Sequence, residues 1–200
     1  ILLERDCFPE SGRNRKGVPQ GRHTHGLLAR GLEVLEQLFP GMTETLKQAG
    51  VQTGDLGTMI RWLNEGEYQT PVESGLLGMG ISRPLLEAHV RARVLALPHV
   101  EAIEGCDVLG LLADDDRRRI LGVRLLRNEP GSAEEVRYAD LVVDACGRGS
   151  RSPAWLEALG YERPPEEQVR VGLGYATRSY RIPEGGFGFN GIVMAGAPPG

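Results

Sequence analysis

The chain has 200 residues, 40% of them apolar and 25% charged, which is enough to bury a core and to form one or two domains of roughly 100–200 residues each. A net charge of −4 offers no basic face to nucleic acid or to an anionic membrane. No apolar run is long enough for a membrane span or a signal core, and the three cysteines, Cys7, Cys106 and Cys146, form no Cys-x-x-Cys pair, which favours a reducing cytoplasm over a disulfide framework.

Ile1-Leu2-Leu3-Glu4-Arg5-Asp6 reads as a short strand closing on an acid, the pattern of the second strand of a nucleotide-binding fold. The Gly-rich turn and helix that precede such a strand are not in the sequence, so the chain is read as an internal fragment. Cys7 to Gly26 is polar and punctuated by Gly and Pro, and reads as one long loop. Leu28, Leu32, Leu35 and Phe39 then recur at helical spacing up to Pro40-Gly41, and a shorter helix is expected from Thr43 to Ala49. Met59 to Leu63 and Tyr68 to Thr70 flank Asn64-Glu65-Gly66-Glu67 as a hairpin. Met79 to Ser82 forms a strand that runs into a helix from Arg83 to Leu97, with Pro84 in the first turn and Glu87 near the positive end of the dipole.

Extended segments over Val100 to Ile103 with Val108 to Ala113, Ile120 to Arg127 and Val136 to Tyr138 suggest an antiparallel meander. The charged run Asp114 to Arg119 is its solvated tip. Leu141-Val142-Val143 is a continuous apolar run, expected as a central parallel strand buried on both faces. It feeds Gly147 and Gly149, and Ser152 is expected to cap a helix with Pro153 at its first position and Gly160 past its end. From Val169 to Tyr180 the apolar period returns to two, which suggests a second sheet. Gly191 to Gly196 reads as a further strand.

Four places carry chemistry. Glu4, at the carboxyl end of a strand, is suited to accept two vicinal ribose hydroxyls. In the loop Arg13-Asn14-Arg15-Lys16-Gly17-Val18-Pro19-Gln20-Gly21, two arginines offer multidentate donors for a pyrophosphate, and Gly17 lacks the Cβ that would keep a flat ring away from the backbone. Arg83 stands between a strand and a helix N-terminus, where dipole and guanidinium together stabilise a phosphate oxygen. Asp144-Ala145-Cys146-Gly147 empties a strand into a turn that can present backbone donors. Cys146 is read there as a small buried residue. His23 and His25 have no third ligand nearby and are read as structural, so no metal is expected.

In this order the signals resemble the flavoprotein monooxygenases of the para-hydroxybenzoate hydroxylase fold and their geranylgeranyl reductase relatives. In particular the chain is similar to bacterial FAD-dependent oxidoreductases of the polyprenyl-methoxyphenol hydroxylase type. The resemblance implies an α/β fold: a Rossmann-like FAD-binding domain over residues 1–55 and 79–168 with an inserted antiparallel meander, and an incomplete antiparallel substrate domain over 56–78 and 169–200. It implies FAD as cofactor and NAD(P)H as reductant. Glu4 would bind the adenosine ribose with Arg5 beside the adenine, Arg15 would face the pyrophosphate, Gly17 and Val18 the isoalloxazine, and Arg83 the phosphates or ribityl chain. Asp144 and Gly147 belong to the segment matching the family's Asp-Gly motif, in which Cys146 stands where the family has Asp. The activity implied is hydroxylation or epoxidation of an apolar or aromatic small molecule through a flavin hydroperoxide. Flavin-dependent reduction of a polyprenyl double bond is the first alternative, and a non-catalytic FAD-binding protein the second.

Overall fold

The computed structural model describes residues 1–10, 12–182, 184–194 and 196. In chain order the elements are β1 (Leu2–Leu3), β2 (Gly26–Leu27), α1 (Ala29–Leu38), α2 (Met42–Gln48), β3 (Gln52–Asp55), α3 (Leu56–Met59), β4 (Ile60–Asn64), β5 (Glu67–Tyr68), β6 (Leu77–Gly80), α4 (Arg83–Leu95), β7 (Ala102–Ile103), β8 (Cys106–Ala113), β9 (Ile120–Arg127), β10 (Glu134–Tyr138), α5 (Ser152–Ala158) and β11 (Gly191–Met194). Single 3-10 turns occupy Pro19–Arg22 and Gly147–Gly149. The class is mixed α/β with antiparallel sheets, as expected, and the chain divides into two compact units.

The first unit joins Ile1–Phe8 to Leu97–Leu173. Its meander β8-β9-β10 is antiparallel throughout, as its charged turns require. Residues 100–103 do not extend it. Ala102 and Ile103 pair in parallel with Leu2 and Leu3 instead, and Gly105, at φ +61, turns the chain into β8. The core gathers Ile103, Cys106 and Leu125 with Leu3 against them.

Two expectations in this unit are corrected. Leu141-Val142-Val143 forms no strand; Leu141 and Val143 are 77% and 74% exposed. An apolar run marks a strand only where neighbours supply hydrogen bonds on both edges, and among the described residues none pairs with it. Ser152 does not cap α5, because its hydroxyl is committed to the Asp144 carboxylate; Arg151 is the N-cap and makes no side-chain cap bond. Gly160 closes the helix at φ +89, as expected. The meander tip is more than a solvated charge cluster. Arg117, at φ +56, donates from Nη1 to the Leu159 carbonyl at 3.3 Å, and the Tyr161 hydroxyl donates to the Arg117 carbonyl.

The second unit holds Pro9–Ala96 and the described residues from Gly174 on. Leu32 of α1, Met42 and Leu46 of α2, Val51, and Met79 and Ile81 around β6 form its buried core, with Leu85, Leu86 and Val90 of α4 packed on it. The helical stripe on α1 is as the spacing predicts except at Leu28, which is 65% exposed just ahead of the helix. Strand β6 is the centre of an antiparallel sheet β2-β6-β3. The hairpin β4–β5 turns on Glu65 and Gly66, both at positive φ as a type I′ turn demands. Strand β11 lies parallel to β4. The period-two stretch from Val169 to Tyr180 contains no strand and is exposed to solvent. The strand expected over Gly191 to Gly196 is present as Gly191–Met194, and Ala195 lies outside the described residues.

Among the described residues no helix is long and apolar enough to cross a membrane.

Candidate cofactor site

In the first unit the parallel pair β1–β7 delivers Glu4. Its main-chain N–H donates to the Ile103 carbonyl at 2.9 Å, and its carbonyl accepts from the Cys106 N–H at 3.1 Å. The side chain turns back, with Oε1 accepting the Asp6 N–H at 3.1 Å. Arg5 is mostly exposed, and its carbonyl accepts from Asn128 Nδ2 at 3.1 Å. The acid is therefore fixed at its main chain by two core residues.

The turn after residue 143 is organised by Asp144. Its carboxylate accepts the Cys146 N–H at 2.9 Å, the Ser150 hydroxyl at 2.6 Å and the Ser152 hydroxyl. These bonds, led by the two hydroxyls, hold its carboxyl well below the usual carboxylate range. Cys146 is exposed rather than buried. The neighbouring Asp144 carboxylate and partial burial push its thiol up, and the charges of Glu4 and Arg5 act on it as well. The buried thiol is Cys106, which burial also pushes up. Gly147 sits at φ +59, with nothing within 4 Å of the position a Cβ would take. Glu4, Arg5 and the Asp144–Gly147 turn thus form one neighbourhood.

In the second unit the loop after Pro9 is laid against α4. Arg15 Nη2 meets Glu87 Oε1 at 2.9 Å, both side chains about three-quarters buried. Arg91 Nη2 donates to the Pro9 carbonyl at 3.3 Å. A Cβ on Gly21 would lie 2.6 Å from Asn14 Oδ1 and 3.7 Å from Pro84 Cγ, so this glycine permits close packing of the loop on the first turn of α4. Gly17, by contrast, is at φ +79 with open space beside it, and Val18 is half-buried. Arg83 is exposed at the first position of α4, whose N-cap Ser82 accepts from the Leu85 N–H at 3.4 Å. The loop arginine, the open glycine and the helix-end arginine belong to one unit.

Within the second unit Arg15, Arg83 and the open Gly17 suit, by their chemistry, a phosphate-bearing cofactor. Each unit offers a glycine turn with room for a ligand atom where a Cβ would stand, and guanidinium groups suited to phosphate. His23 Nδ1 lies 2.9 Å from Thr177 Oγ1, and no metal-binding cluster of His, Cys, Asp or Glu occurs among the described residues. Ser150, Ser152 and Glu87, which organise the turn after Asp144 and the loop on α4, were not singled out by the sequence for these contacts. Two hydroxyls spaced by two after a Gly-x-Gly turn, and an acid four residues past an Arg at a helix start, were the available signals.

No family model matches the chain. It is 38% identical over 208 residues to "Protein Rv3254" of Mycobacterium tuberculosis, an alignment that takes in 98% of this chain and 42% of that protein. The chain therefore spans less than half the length of this relative. Among solved structures, PqsL of P. aeruginosa, in a mutant form, superposes with a TM-score of 0.55 at 20% identity, covering 82% of this chain and 40% of that one. The chain shares the fold of PqsL. A second structure, the myxobacterial chondrochloren halogenase CndH, described as a new variant of FAD-dependent halogenases, gives a TM-score of 0.49 at 25% identity, covering 75% of this chain and 32% of that chain.

Proposed function

We propose that the chain is the FAD-holding part of a FAD-dependent oxidoreductase, and that the whole protein is a monooxygenase acting on an apolar or aromatic small molecule with NAD(P)H as reductant. The observation that carries the reading is the loop of residues 9–22, clasped to α4 through Arg15–Glu87 while Gly17 stands open. A solvated basic loop has no need of either feature. FAD supplies the redox chemistry when bound; the protein's part is to bind, orient and shield it.

Glu4 would accept the ribose hydroxyls, Arg15 and Arg83 would bind the pyrophosphate, and Gly17 with Val18 would let the flavin ring approach the main chain. Arg5 would lie beside the adenine. Asp144 would act by holding the Cys146–Ser152 turn in shape, so that the main chain at Gly147 is presented to the cofactor. The domain division proposed is 1–55 with 79–168 for FAD and 56–78 with 169–200 for substrate.

Two measurements on the whole protein test this. It should purify with, or take up, one FAD per chain, and it should consume oxygen in step with oxidised product. The neutral Cys146 at the family's Asp position favours a second reading, reduction of a polyprenyl double bond. Turnover at full rate without oxygen would select that reading and sink the first. Bound FAD with no NAD(P)H oxidation on any hydrophobic substrate would instead mark a non-catalytic flavoprotein.

A further inference from the structure

Helix α4 presents two faces to its own unit. Leu86 and Val90 pack on the core, while Pro84, Glu87 and Arg91 meet the loop of residues 9–22. The spacing of these three, by three and then four, places them along one stripe of the helix. Pro84 lies under Gly21, Glu87 takes the Arg15 guanidinium, and Arg91 holds the Pro9 carbonyl. A loop of this length is thereby held at its start, middle and end by one rigid element.

We propose that Glu87 is a positioning residue for the cofactor: it orients the Arg15 guanidinium to receive the pyrophosphate of a bound dinucleotide, acting through Arg15 and without touching the ligand. The inference rests on the FAD reading above and deepens it. Arginine recognises phosphate through a planar fork whose direction matters as much as its charge. An arginine on a long loop samples many directions, and binding must then order it at a cost in affinity. Fixing Nη2 on a helix-borne carboxylate sets the plane of the guanidinium before the ligand arrives. Because the pair is about three-quarters buried, solvent screens it less than a surface pair. The same carboxylate lowers the net positive charge at the site, so its benefit to an anion lies in orientation and outweighs that loss.

The test is a double-mutant cycle in the whole protein, with FAD as the probe and the equilibrium dissociation constant as the reading. Arg15→Ala and Glu87→Ala are each expected to weaken FAD binding by about tenfold, the scale of one charge-assisted hydrogen bond. The double variant should bind no more weakly than Arg15→Ala alone, because Glu87 acts only through Arg15. Glu87→Gln, which keeps the shape and an acceptor, should recover part of the affinity lost in Glu87→Ala and controls for a variant that misfolds. FAD binding unchanged or tighter in Glu87→Ala, or losses that simply add in the double variant, would overturn the inference while leaving the FAD reading intact. A whole protein that binds no FAD would overturn both.

Discussion

Glu36 and Thr43 are joined twice through one carboxylate oxygen: Oε2 of Glu36 accepts the Thr43 main-chain N–H at 2.8 Å and the Thr43 hydroxyl at 2.6 Å. The other oxygen takes the Gly41 N–H at 2.6 Å. Gly41, the N-cap of α2, has no side chain with which to satisfy the helix's first donors, so the acid is borrowed from the last turn of α1.

Acid should therefore loosen this helix pair. The bonds from Thr43 and Gly41 lower the Glu36 carboxyl from 4.5 to about 2 in the folded state. A depressed folded pKa contributes stability that is complete above 4.5 and is lost as pH falls toward 2. Melting temperature followed through this window should drop in the wild type, and Glu36→Gln should start lower and drop less. Parallel curves for the two proteins would show that the carboxylate is not the group being titrated.

Cys146 gives a second pH-dependent outcome, with the opposite sign. Its thiol is pushed up chiefly by the hydrogen-bonded Asp144 carboxylate, so at neutral pH it is protonated and slow to alkylate. Asp144→Asn removes that negative charge and should speed labelling by iodoacetamide at mildly alkaline pH. Buried Cys106 should react slowly in both proteins. An unchanged Cys146 rate would mean that Asp144 does not govern the thiol.

Gly122→Ala should damage the meander. Gly122 sits at φ +154 opposite Tyr138, and a Cβ there would fall on the Arg137 carbonyl. Neither backbone can move without breaking the β9–β10 ladder, so a loss of about 1–3 kcal/mol is expected. Denaturant unfolding measures it, and hydrogen exchange should place the loosening on residues 134–138.

Leu125 is fully buried beside Ile103 and Cys106. Truncation to Ala is expected to cost about 2–5 kcal/mol through lost transfer energy and the cavity left behind. Val136→Ala, on an exposed position of β10, should stay within about 0.5 kcal/mol. Equal effects from the two would contradict the placement of the core.

What the sequence revealed of this fold was whatever depends on local chemistry. The stripe Leu32, Leu35 and Phe39, the helix with Pro84 in its first turn, the turn at Glu65-Gly66 and the charged ends of the meander each follow from spacing or dihedral preference. What stayed hidden depends on partners. Gln52–Asp55 is polar and becomes strand β3 only because β6 lies alongside, whereas Leu141–Val143 has the right residues but no strand partner among the described residues. The alternation from Val169 to Tyr180 likewise pairs with no strand among the described residues. At the candidate site the glycines and arginines could be picked out by type, but the organising roles of Glu87, Ser150 and Ser152 exist only in the folded arrangement.

The pairing of Leu2 with Ala102 and Leu3 with Ile103 also sets a timetable. Glu4 takes its place only when that ladder closes, since its N–H and carbonyl are held by Ile103 and Cys106. During synthesis at about 5–20 residues per second, the intervening hundred residues from Leu2 to Ala102 take about 5–20 s to appear. For that interval the loop of residues 9–22 and α4, both within Pro9–Ala96, can begin to organise before the β1–β7 ladder closes. The corner that holds Glu4 is thus completed after the loop that Arg15 and Glu87 clasp to α4.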